Sequence, residues 1–314
     1  MRKIKDLALY SDGGHNWFPS IVRARDGSYL LAFRHNNTNS HLDFDSVTYV
    51  VKSTDGCETW SGPRMIRFQE GQGNQDPVLN VLRDGTVLMT VFVWRREDGG
   101  HRYNSYAYAS RDNGGSWEGP NLIAEDLAIR GRCAQLPGGT ILAPLYGGGP
   151  SVICASRDGG VSWTPYSSIN GLPDQDEPTL LRTRSGKIFC FIRTREEMYY
   201  CSSDDDGRAF GMPVATGLPG SVPYDALQLP SGNVYLAYGH RKEPFGIRAL
   251  LLDGGCGGMA KDREFILRDD GLDSDISYVS SAMLPGGDIL TAYYYRTEES
   301  GHRRFIAGTA VREE

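Results

Sequence analysis

A glycine-marked turn followed by an apolar run recurs six times along this chain, and few folds can accommodate that pattern. The copies read RARDGSYLLAF, VLRDGTVLMTVF, QLPGGTILAPLY, RTRSGKIFCFI, QLPSGNVYLAY and MLPGGDILTAYY, with marker glycines Gly27, Gly85, Gly139, Gly186, Gly232 and Gly287 spaced 58, 54, 47, 46 and 55 residues apart. Each copy reads as strand, tight turn, strand, and the preceding strand is visible in PVLNVL, PTLLRT and YDALQL. A second motif alternates with the first: SRDNGGSW (110–117) and SRDGGVSW (156–163), with weaker copies STDGCETW (53–60), SDDDGRAF (203–210) and LLDGGCGG (251–258). This too is hairpin chemistry. An Asp accepts backbone N–H bonds inside a turn, Gly takes positive φ, and a Trp packs beneath. Six such units, with no helical periodicity, predict an all-β chain: a six-bladed β-propeller of four-stranded antiparallel blades forming one domain over 1–314. Ring closure is expected between IKDLALY near the start and RRFIAGTAV near the end.

Composition agrees and narrows the functional classes. Apolar residues are 39%, enough for a large core, and 39 Gly with 16 Pro suit many turns. The net charge of −6, without a block of Lys and Arg, argues against a nucleic-acid partner. No run approaches the ~18 apolar residues of a membrane-spanning helix. The start, MRKIKDLALYSDGG, has no apolar segment of a leader, so a cytoplasmic location is expected, although a processed secreted chain would read the same. Six scattered cysteines make no CxxC pair and no metal spacing, so they read as idle thiols. The oligomeric state is not legible.

The S-x-D-x-G-x-x-W motif resembles the Asp-box of the sialidase (neuraminidase) superfamily, and the resemblance spans essentially the whole chain. It implies a six-bladed propeller in which the box aspartates Asp112, Asp158 and Asp205 are structural. It also implies a site made of a Tyr nucleophile, a Glu that polarises it, an Asp acid/base and three Arg that grip a carboxylate. DEPTLLRTRSGKIFCFIR places Glu177 and Arg193 as the family places its Glu and one Arg. Arg248 in FGIRALLLDGG falls where another Arg is expected, and Tyr278 in DISYVSSAML takes the nucleophile position. The loop HNNTNSHLDFDS holds two aspartates that fit the acid/base, Asp43 and Asp45, of which Asp43 is preferred because Asp45 lies nearer the next strand.

One departure stands out. Where the family opens its first blade with an Arg of the triad, this chain reads NWFPS, with Trp17 at that position. Arg34 is a candidate replacement, and Trp17 a candidate sugar platform. Three further residues at blade starts, Asp76, Arg132 and Asp225, are expected to line the pocket, with His41 beside the candidate acid. The resemblance thus implies a retaining exo-glycosidase acting on sialic acid or a related acidic sugar, without metal or organic cofactor. A Tyr nucleophile suits such a sugar because a carboxylate nucleophile would be repelled by the substrate's own carboxylate. The missing Arg keeps two alternatives open: another carbohydrate-active enzyme, such as a different glycosidase or a lyase, and a non-catalytic glycan-binding propeller.

Overall fold

A computed structural model describes residues 1–69, 71–301 and 303–314. The chain forms six four-stranded antiparallel sheets arranged as the blades of a propeller. Their innermost strands are His15–Arg23, Gln72–Val81, Ala134–Gln135, Asp176–Arg182, Tyr224–Gln228 and Ser277–Met283, one for each of blades one to six. The first strand, Arg2–Tyr10, pairs with the last, Phe305–Arg312, as the outer edge of blade six, which closes the ring as the sequence predicts. The helical content among the described residues is one 3₁₀ turn, Lys261–Arg263.

Neighbouring blades cover both faces of each sheet. Strands therefore read as near-continuous apolar runs rather than alternating ones. Phe189 and Phe191 of blade four pack with Val234, Leu236 and Tyr238 of blade five, and Trp17 and Leu31 of blade one with Ala292 and Tyr294 of blade six.

The repeated glycines act alike. All six marker glycines have φ between 86° and 98°. Each donates its N–H to the carbonyl three residues earlier, as in Gly27 to Ala24 (3.0 Å) and Gly186 to Thr183 (3.0 Å). A side chain at that φ would be strained, which is why the copies keep Gly. The Asp-box loops share one bonding scheme: Ser110 donates to Asp112 (2.9 Å), Gly114 N–H to Ser110 (2.8 Å) and Ser116 N–H to Asp112 (2.7 Å). Ser156, Asp158, Gly160 and Ser162 repeat it.

A further repetition positions the site. Four inner strands carry a one-residue bulge, opposite Arg34–Ala32, Phe92–Thr90, Arg193–Phe191 and Tyr294–Ala292 of the adjoining strands. The extra residue in each is non-glycine at positive φ: Phe18 (52°), Asp76 (45°), Glu177 (43°) and Tyr278 (51°). Such backbone costs on the order of 1–3 kcal/mol per residue and is typically kept where function needs it.

Candidate active site

Asp76, Glu177 and Tyr278 come from alternate blades, and each stands 101 residues from the next. Glu177 and Tyr278 meet. The Tyr278 hydroxyl donates to Glu177 Oε1 at 2.6 Å. Arg193 Nη1 donates to Glu177 Oε2 at 2.6 Å and to the Tyr278 oxygen at 3.2 Å. The hairpin explains the meeting: Asp176 lies opposite Arg193 across the first pair of strands, so the turn at Gly186 returns Arg193 beside Glu177.

Electrostatics fix where the proton sits. Burial works against ionisation of Glu177, but Arg193, with the Tyr278 hydroxyl and Arg130, holds its carboxyl below the usual range. Burial and the Glu177 charge push the Tyr278 phenol well above its ordinary value. The resting pair is a neutral phenol donating to a carboxylate. Two cations lie near the phenol ring: the Arg130 guanidinium 5.1 Å from its centroid and that of Arg241 5.8 Å away. Phe18, with its ring centroid 4.5 Å from that of Tyr278, covers another side. Arg241 is held by the Ile276 carbonyl (3.2 Å) and the Tyr294 hydroxyl (3.2 Å), and Tyr294 donates in turn to Asp275 (2.9 Å). Asp76 is 4% exposed and accepts no hydrogen bond from any described residue. Burial pushes its carboxyl up to about 7, Arg130 pulling the other way.

Comparison with known proteins follows the same lines. The model of the BNR repeat-like domain matches residues 49–270. The chain belongs to that family. A sialidase of Clostridium perfringens is 29% identical over 92 residues, which are 29% of this chain and 24% of that enzyme, so the match spans about a quarter of the relative. Among solved structures, a Dyadobacter fermentans protein of unknown function is 27% identical with a TM-score of 0.90, covering 100% of this chain and 99% of that one. The leech intramolecular trans-sialidase, complexed with 2,7-anhydro-Neu5Ac, shares the fold at 13% identity and a TM-score of 0.75, with 98% of this chain and 70% of that one covered.

Several residues expected at the site of this sialidase-like BNR propeller do not meet the Tyr278–Glu177 pair. Arg248 does not reach the pair: it sits on the third strand of blade five, buried, with its guanidinium donating to the Arg268 (2.9 Å), Ile247 (3.2 Å) and Pro244 (3.4 Å) carbonyls. The blade-five arginine beside the Tyr278 ring is Arg241. Arg132 and Asp225 do not join Tyr278 either. They form an ion pair with each other, and both bond to Ser281, three residues along the strand from Tyr278 and so roughly 10 Å deeper in the channel. Arg130, two residues earlier, faces the phenol instead. Trp17 is wholly enclosed, its indole N–H donating to Asn36 at 2.8 Å, so it offers no face to a sugar. Arg34 is equally enclosed, 5.8 Å from both the Trp17 and Phe18 rings, with its Nη2 on the Ser40 carbonyl (2.9 Å).

The loop aspartates differ too. The Asp43 carboxylate accepts from Thr38, from Asn36 (3.2 Å) and from the Asp45 N–H (2.8 Å), so it closes its own loop. Asp45 is exposed. His41 lies at the rim, 3.3 Å from Asp275, with its ring 4.5 Å from that of Trp17. Sequence reasoning notes Arg130 at the entry to blade three and Arg241 in GHRKEPFG, but prefers Arg132 and Arg248. Arg241 could have been preferred, because it follows the second strand of its blade just as Arg193 ends that of blade four.

Proposed function

We propose that this chain is a sialidase-type exo-glycosidase that removes a terminal acidic sugar with retention, using Tyr278 as nucleophile and Glu177 as its base. The carrying observation is the 2.6 Å hydrogen bond from the Tyr278 hydroxyl to Glu177, with Arg193 bonded to both. As the phenol oxygen attacks the anomeric carbon, its proton passes to the Glu177 carboxylate, which is neutralised, and Arg193 offsets the negative charge that develops on the phenol oxygen. Arg130 and Arg241 add positive charge beside the same ring and favour an anionic substrate group above it. The sialidase relatives support a carbohydrate substrate.

A second reading has an observation of its own. Arg193 is committed to Glu177, Arg248 to backbone carbonyls, and Trp17 stands where the family's first Arg would be. A site without the family's expected set of three arginines also suits an acidic sugar other than sialic acid. A panel of aryl glycosides, including aryl sialosides and aryl uronides, tests both readings. Turnover of a sialoside that disappears in Tyr278→Phe supports the first, and turnover confined to another glycoside supports the second. Failure to turn over any of them removes the hydrolase reading.

A further inference from the structure

Hydrolysis through Tyr278 needs a second proton, delivered to the departing glycosidic oxygen, and Tyr278 and Glu177 cannot supply it because their shared proton moves the other way. We propose that Asp76, and not the loop residue Asp43, is the carboxyl that holds and delivers it. The inference rests on the hydrolase reading above and deepens it.

Three observations carry it. The first is position: Asp76 is the bulge residue of blade two, in the same left-handed conformation (φ 45°) as Glu177 (43°) and Tyr278 (51°), so the fold brings all three to the same end of the channel by the same device. The second is freedom. The Asp76 carboxyl accepts no hydrogen bond from a described residue, and an acid that must give its proton to a ligand cannot have it committed elsewhere. Asp43 is in the opposite situation, with three donors on its two oxygens. Thr38, the Asp45 N–H and Asn36 outweigh its partial burial and keep its carboxyl below the usual range. The third is surroundings. Asp76 is faced by Arg34 and Arg193 from second strands, by Arg130 from the segment entering blade three, and by Glu177, Tyr146 and Tyr278. Burial outweighs the three cations and keeps the proton on Asp76 at pH values where Glu177 has lost its own. Two carboxyls whose environments pull them apart make an acid and a base.

The chemistry balances. In the first step the anomeric C–O bond breaks, the Tyr278 oxygen bonds to that carbon, Glu177 takes the phenol proton, and Asp76 gives its proton to the leaving oxygen. In the second, water attacks the same carbon, Asp76 recovers a proton from it, and Glu177 returns one to Tyr278.

Two measurements test the proposal. The first needs no substrate: infrared difference spectra of wild type against Asp76→Asn, recorded from pH 5 to pH 9. The expected result is a protonated-carboxyl band that titrates near pH 7 and is missing from the variant. An ionised Asp76 at pH 5 overturns the proposal whatever the substrate. The second uses aryl sialosides graded in leaving-group acidity. Asp76→Asn is expected to lose on the order of 10²–10⁴-fold in kcat/KM for poor leaving groups, far less for activated ones, and to lose the alkaline limb of the pH profile. Asp43→Asn is expected to keep that limb. The reverse pattern, with the limb lost in Asp43→Asn and kept in Asp76→Asn, overturns the proposal and leaves the hydrolase reading standing. A wild type inactive on every aryl glycoside, with the band present, overturns the hydrolase reading and the donor role together.

Discussion

Tyr278 and Glu177 are 101 residues apart in the chain, and the hydroxyl of one donates to the carboxylate of the other at 2.6 Å. Neither lies in a loop: each is the bulge residue of an inner strand, in left-handed backbone that an L side chain adopts only at a cost. The contact is therefore set by two rigid sheets rather than by a mobile segment. Rigid placement is what a nucleophile and its base require, since both must stay within hydrogen-bond reach.

Removing either end of that bond should stop turnover without unfolding the chain. Tyr278→Phe deletes the attacking oxygen, and Glu177→Gln deletes the proton acceptor. Each is expected to lower kcat on the true substrate by a factor of about 10³ or more, as does loss of a group acting in a coupled unit. Glu177→Gln should also destabilise, because Arg193, only 22% exposed, would keep its charge without a partner. Steady-state kinetics and thermal melts check both. Unchanged hydrolysis in the two variants would remove the catalytic assignment.

The two blade-five arginines are expected to separate cleanly. Arg241→Met takes a cation from beside Tyr278 and should raise KM or lower kcat on an acidic glycoside, with little change in melting temperature. Arg248→Met leaves the Arg268, Ile247 and Pro244 carbonyls short of a buried donor, at about 1–3 kcal/mol. It should lower the melting temperature while kcat/KM of the folded protein holds. If Arg248→Met changes KM and Arg241→Met does not, the two have been assigned the wrong way round.

Much of this was legible in the chain, because the features that encode it are local. The marker glycines and Asp-boxes are turns of a few residues, and six of them in series fix the blade count. That Glu177, Arg193 and Tyr278 would meet was readable because their neighbours keep a family's pattern. Arg130 was passed over in favour of Arg132 because the inner strand of blade three shrinks to Ala134–Gln135, so counting from a regular strand lands two residues late. Trp17 was taken as a platform because sequence shows the residue type and not the Arg304 guanidinium lying 4.0 Å over its ring. The bulges do leave a trace: three of the four positive-φ residues, Phe18, Asp76 and Glu177, precede a proline.

Asp76 should also set how stability varies with pH. Its folded carboxyl titrates at about 7, against 3.8 for the unfolded chain, so between those values the folded state binds the extra proton. Stability is then fullest below pH 4 as far as this group is concerned, and it falls as pH rises through 7. At about 1.36 kcal/mol per pKa unit, the loss is about 4.4 kcal/mol as an upper limit. Asp76→Asn should flatten that slope and be more stable than wild type at pH 8. Denaturant unfolding at pH 5 and pH 8 measures it, and equal slopes for the two proteins would show that Asp76 is ionised throughout.

Glycine at position 131 should prove indispensable for a reason the sequence does not display. It lies between Arg130 and Arg132, and an added Cβ would stand 1.8 Å from the Pro178 carbonyl oxygen and 2.6 Å from the Thr179 Cα. Both are backbone atoms of the blade-four inner strand, and Pro178 directly follows Glu177. An alanine there cannot be absorbed by a side chain swinging away; one of the two strands must move. Gly131→Ala is expected to cost about 1–3 kcal/mol, in the range of overpacked cores, and to lower kcat by disturbing Glu177 and Arg130 together. Gly138→Ala, where an added Cβ meets no atom within 4 Å, is the matched control and should leave both unchanged. A Gly131→Ala protein with wild-type melting temperature and kcat would mean that blades three and four do not pack as closely as this contact requires.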